Sequence, residues 1–102
     1  MSKAPAIRPL VERLNDRFRL GLRKHGRRLL EQLLLSCDQY GVVTGISQIQ
    51  FARRLDCGKR SIEYAFEDLR RANVIAESAR DPRTGTMAHA LSEWVGEFIS
   101  NG

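Results

Sequence analysis

The stretch ISQIQFARRLDCGKRSIEYAFEDLRRANVI, residues 46–75, decides how the rest of the chain is read. Ser47 and Gln50 stand three apart, the spacing of a capping box, in which the serine hydroxyl and the glutamine amide each satisfy a backbone N–H at a helix start. Ile46 and Phe51 flank that cap at the spacing of a hydrophobic staple, and the pattern predicts a helix running to Leu55. Asp56, Cys57 and Gly58 then break the apolar period. A second helix is predicted over residues 58–72, with Asn73 suited to the left-handed residue that closes it.

On a helical wheel of residues 58–72, Ile62, Ala65, Phe66, Leu69 and Ala72 share the face that must be core. Arg60, Tyr64, Glu67 and Arg71 lie opposite, flanked by Lys59, Glu63 and Arg70 on one side and by Ser61 and Asp68 on the other. A helix start carries partial positive charge, so Lys59 and Arg60 in the first turn are each unfavourable by roughly 0.3–1 kcal/mol. A local rule broken in this way marks a candidate functional surface. Arg70 and Arg71 suit the opposite end of the dipole. Arg53 and Arg54 fall on the exposed side of the preceding helix, and Glu63, Glu67 and Asp68 place three carboxylates on or beside the exposed side of the second.

Outward from this pair, residues 1–8 read as a flexible amino-terminal arm, because Pro5 and Pro9 discourage a helix before position 9. Residues 9–39 carry helical periodicity interrupted at Gly21 and Gly26, as one kinked helix or two, with the stronger part over residues 27–39. Val42, Val43 and Thr44 form a very short strand. Beyond Asn73, residues 74–79 and 86–91 read as two strands joined by the turn chemistry of Asp81-Pro82-Arg83-Thr84-Gly85. Leu91, Trp94, Val95, Phe98 and Ile99 define an amphipathic last helix over residues 92–100, with Ser92 as its cap. The fold class expected is a mainly α single domain over residues 9–102: a three-helix core, a small β hairpin, and extra helices at both ends. Those end helices show more apolar surface than so small a domain buries, so they are the expected interface of a homodimer.

The pattern of residues 46–91 resembles the winged helix-turn-helix proteins of the bacterial transcriptional regulator type. That family's apolar residue followed by Ala-x-x-Leu, a short break, then a polar helix with Ile and Ala-Leu-x-x-Leu is met by Phe51-Ala52-Arg53-Arg54-Leu55, Ile62, Ala65-Phe66 and Leu69. Its closing Gly-Leu-Ile is met by Asn73-Val74-Ile75, and the segment RDPRTGTMAHAL stands where the wing follows. Gly58 departs from the pattern, since the family carries a capping Ser there. The resemblance implies a helix-turn-helix over residues 47–72, a wing over residues 74–91, and double-stranded DNA as partner. Lys59, Arg60, Ser61 and Tyr64 would then read bases in the major groove. Arg53, Arg54, Arg83 and Thr84 would hold phosphates. A small sequence-specific repressor, of plasmid or phage size, is the expected function. A winged-helix protein-interaction module is the alternative, and so is a non-specific DNA binder acting through the basic amino-terminal segment.

Charge distribution bears on those alternatives. Residues 1–28 hold nine basic residues against Glu12 and Asp16, whereas residues 29–102 hold eight basic and ten acidic ones. So basic an amino-terminal quarter points to a polyanionic partner. His25 and His89 have no partners at ligand spacing, Cys37 and Cys57 form no metal cluster, and no nucleophile or phosphate-loop motif occurs. An enzyme, a metal and a cofactor are therefore not expected. No apolar run approaches the roughly 18 residues of a membrane span, and MSKAPAIRP lacks a signal-peptide core, so a cytoplasmic location is expected.

Overall fold

A computed structural model of the chain describes residues 4–101. In chain order the elements are α1 (Ala4–Arg17), α2 (Lys24–Ser36), β1 (Val42–Val43), α3 (Gln48–Arg54), α4 (Lys59–Arg71), β2 (Ile75–Arg80), β3 (Met87–Leu91) and α5 (Glu93–Asn101). Five helices thus accompany one small antiparallel sheet of order β1-β3-β2. α4 packs on α2, on α3 and on the start of β2, while α1 packs on α2. No helix among the described residues is long and apolar enough to cross a membrane.

The amino-terminal expectation needs correction. Of the arm expected over residues 1–8, residues 1–3 lie outside the described residues, and α1 already begins at Ala4 with Pro9 inside it. A proline within a helix removes one backbone hydrogen bond and crowds the preceding turn. Burial of Ile7, Val11 and Leu14 along one face of α1 offsets that cost. The periodicity of residues 9–39 divides into two helices. α1 closes on Arg19 in the left-handed region (φ 50°), with Leu20 N–H donating to the Asn15 carbonyl. α2 starts at Lys24 and ends at Ser36, three residues earlier at each end than the expected 27–39.

Both joints of the central pair close in the same way. Asp56 (φ 51°) ends α3, with the N–H of Cys57 on the Ala52 carbonyl and that of Asp56 on the Arg53 carbonyl. Asn73 (φ 57°) ends α4, with Val74 N–H on the Leu69 carbonyl and Asn73 N–H on the Arg70 carbonyl. Asp and Asn tolerate the left-handed conformation better than most side chains do. At the start of α3 the capping box forms in full: Ser47 Oγ accepts from Gln50 N–H (3.1 Å), and Gln50 Oε1 accepts from Ser47 N–H (2.7 Å).

Leu29, Leu30 and Leu33 of α2, Phe51 and Leu55 around α3, and Ile62, Phe66 and Leu69 of α4 form the core with Val43, Val74 and Val95. β3 pairs with both other strands, Val43 opposite His89 and Ile75 opposite Leu91, with an irregularity between Ile75 and Glu77. α5 is less deeply seated. Val95 is its fully buried residue, while Trp94, Phe98 and Ile99 are half-buried. The Ser92 hydroxyl donates to the Asn73 carbonyl (2.5 Å), to which Trp94 Nε1 also donates (2.9 Å). The closing residue of α4 is thereby tied to the start of α5.

Candidate nucleic-acid interface

The amino-terminal end of α4 is the centre of the candidate site. Gly58 occupies the N-cap position in extended conformation and supplies no side-chain acceptor. Lys59 and Arg60 follow it, both exposed and neither in an ion pair among the described residues. Two uncompensated cations therefore add to the positive end of a 13-residue helix. Tyr64, one turn on, is 46% exposed, and the guanidinium of Arg23 lies 5.4 Å from its ring centre. Ser61 is half-buried and lines a small cleft with Arg23, His25, Gly26, Tyr64 and Asp68. It faces α2 and is separated from the flank that carries Lys59 and Glu63.

The structure removes one of the three carboxylates placed beside this surface. Asp68 is 5% exposed. Arg23 grips it with two side-chain bonds, Nε to Oδ2 (3.0 Å) and Nη2 to Oδ1 (2.6 Å), and its backbone N–H reaches Oδ2 at 3.3 Å. Arg23 is also the N-cap residue of α2, and Asp68 accepts its backbone N–H, one of the amide groups that the start of a helix leaves without an internal partner. The bonded guanidinium holds the Asp68 carboxyl below the usual carboxylate range, against the opposing effect of its burial. Glu63 and Glu67 remain exposed on α4.

α3 brings only one of its arginines toward α4. Arg53 and Lys59 line the same groove of about 440 Å³, with Gln48, Ile49, Ala52, Cys57, Ile62 and Glu63. Arg54 turns the other way, its guanidinium 6.0 Å from the Phe51 ring centre and 3.5 Å from Ser36 Oγ. Ile49, 66% exposed on the groove wall, is a site residue that the resemblance passed over. Its signal was present in QIQFARR, where helical spacing sets Ile49 beside Arg53 and away from Phe51 and Leu55.

The hairpin between β2 and β3 turns tightly. Asp81 exchanges backbone bonds with Thr86 and Gly85, its Oδ1 accepts from Arg83 N–H (3.0 Å), and Gly85 takes φ +72°. Arg83 is exposed with no ion pair among the described residues, whereas Thr84 shares its hydroxyl with Thr86 at 2.8 Å. The tip abuts the approach to α3: a Cβ built on Gly45 would lie 4.0 Å from Thr84 Cγ2. A cleft of about 200 Å³ joins hairpin residues Arg80, Gly85, Thr86 and Met87 to Ser47, Gln48 and Arg70. Arg80 and Arg70 thus enter the neighbourhood of the site, although helix-end electrostatics alone accounted for Arg70. His89, behind this cleft, is buried, shares a 2.8 Å hydrogen bond with Ser78 through Nδ1, and packs on Phe66 at 4.8 Å. Burial, and then the charge of Arg70, push its imidazole below the ordinary value.

Part of the basic amino-terminal quarter is used inside the fold. Arg8 pairs with Glu31 (3.3 Å), Arg23 with Asp68 and Arg27 with Glu12 (3.3 Å). Arg27 also donates to the Leu22 carbonyl and Arg28 to the Leu55 carbonyl. Among the described residues, the exposed cations of this segment outside ion pairs are thus Arg13, Arg17, Arg19 and Lys24. No group of three or more His, Cys, Asp and Glu side chains suited to a metal ion occurs among the described residues. In comparison with known proteins, no family model, curated protein or solved structure matches this chain.

Proposed function

We propose that this protein binds double-stranded DNA in a sequence-specific manner and represses transcription by occupying its site, with α2, β1, α3, α4 and the β2–β3 hairpin acting as a winged helix. The first turn and a half of α4 enters the major groove. There Arg60 offers a guanine two donors, and Lys59 and Tyr64 reach neighbouring bases or phosphates. Arg53 on α3 and Arg83 on the hairpin hold phosphates on either side. One observation carries this reading: Lys59, Arg60, Arg53 and Arg83 stand exposed on α3, α4 and the hairpin without an acidic partner among the described residues.

The ion pairs of the fold bear on the two alternatives as well. A protein-docking face built on acids and aromatics loses Asp68 to the interior and shares Tyr64 with Arg23. A non-specific binder acting through residues 1–28 loses Arg8, Arg23 and Arg27 to ion pairs and keeps Arg13, Arg17, Arg19 and Lys24.

The test is binding of the full chain to genomic fragments across a salt series. Specific repression predicts a few enriched fragments, a steep fall of affinity with salt, and loss of sequence preference in Arg60→Ala. Equal weak binding to every fragment would assign the non-specific reading. No binding even at low salt would discard both nucleic-acid readings.

A further inference from the structure

We propose that the surface made by the end of α1 and by α5 binds a second copy of this chain, in a two-fold dimer that lays the α1 edge of each copy against the α5 edge of the other. The surface has an aromatic centre. Phe18, just past the end of α1 and 46% exposed, meets Trp94 edge-on at 5.0 Å and Phe98 at 5.7 Å. Both partners are themselves half-buried, and the three rings floor an open groove of about 930 Å³ with Arg13, Asp16, Arg17 and Glu97 around it. Aromatic side chains inside a charged rim are the composition of an association surface.

The rim identifies the occupant. On α1, Arg8 is taken by Glu31 and Glu12 by Arg27, which leaves Arg13 and Arg17 against Asp16 as the exposed charges with no ion pair among the described residues. Arg17 lies over the rings of both Phe18 and Phe98, at 5.9 and 6.0 Å from their centres. α5 carries Glu93 and Glu97, both exposed, and no basic residue. One edge of the patch is therefore net basic and the other acidic. A two-fold axis joins such edges twice over, since each contact made by one copy is returned by the other. Nucleic acid on this surface would meet Glu93 and Glu97 and be repelled. The inference requires no DNA, and its test reads mass alone.

That test is the solution mass of the full chain without nucleic acid, by sedimentation or light scattering. The wild type is expected to be a dimer. Arg13→Glu with Arg17→Glu makes both edges acidic, and Glu93→Arg with Glu97→Arg makes both basic. Each double variant alone is expected to be monomeric. An equimolar mixture restores opposite charge at both contacts and is expected to dimerise. A monomeric wild type, double variants that stay dimeric alone, or a mixture that stays monomeric would each overturn the proposal. Phe18→Ser gives an independent reading should a charge variant unfold: association weakened roughly 30-fold or more with helix content unchanged supports the surface. An undiminished Phe18→Ser dimer contradicts it.

Discussion

With both carboxylate oxygens bonded by Arg23 and with Gly26 pressed against it, Asp68 ties the start of α2 to the last turn of α4. Asp68→Asn should lower stability by about 1–3 kcal/mol, nearer the low end because the Arg23 side chain is 58% exposed and solvent-screened. The pH dependence has a definite sign. The folded-state pKa of Asp68 lies below the unfolded value, so between the two the unfolded chain binds more protons and stability rises with pH. The gap between wild type and Asp68→Asn in urea titrations should be full above the ordinary carboxylate pKa and close as pH falls through the lowered one. Gly26 supplies a second check. A Cβ there would sit 3.2 Å from Asp68 Oδ2, and Arg23 leaves that carboxylate little room to move. Gly26→Ala should therefore lower the thermal midpoint, despite the gain of up to about 1 kcal/mol that alanine brings to an ordinary helix position. Helix propensity read Gly26 as a weak point and the wheel read Asp68 as surface. Neither reading could include a distant partner, Arg23 for Asp68 across 45 positions and Asp68 itself for Gly26.

At the scale of elements, what is caused locally was legible. The capping box of α3, the left-handed Asn73 and the turn at residues 81–85 depend on side chains within a few positions of one another, and all appear as the spacing implied. The start of α1 was missed because its cause is distant: burial of Ile7 against the body of the fold carries the helix through Pro9. Arg54 is exposed on α3 as expected, while the direction of its side chain is set by Phe51 and Ser36, which helical spacing alone does not give. α4 itself makes a prediction that separates stability from function. Lys59 and Arg60 oppose the helix dipole and have no ion-pair partner among the described residues. Replacing both by alanine should leave stability within about 0.5 kcal/mol of wild type, or slightly raise it. The same variant should lose most of its affinity for DNA. Denaturant unfolding and a binding titration on one preparation check both halves, and a large loss of stability would show that these cations serve the fold.

Over the whole molecule, the order of helices and strands was readable from periodicity, while the placement of charge was not. The amino-terminal quarter holds the densest run of arginines, yet the fold ties Arg8, Arg23 and Arg27 to acids, and, among the described residues, a second set of exposed, unpaired cations lies around α3, α4 and the hairpin. Composition counts charges, whereas a binding surface depends on which of them remain unpaired. The central claim is that these remaining cations face phosphate and base edges, and the salt dependence of DNA affinity tests it most directly. Each phosphate contact removed should reduce the slope of log K against log salt by about one. Arg53→Ala and Arg83→Ala are each expected to show that reduction, and Arg8→Ala, whose parent side chain is held by Glu31, to keep the wild-type slope. Unchanged slopes in the first two variants, or an equal reduction in the third, would contradict the placement of DNA on this face.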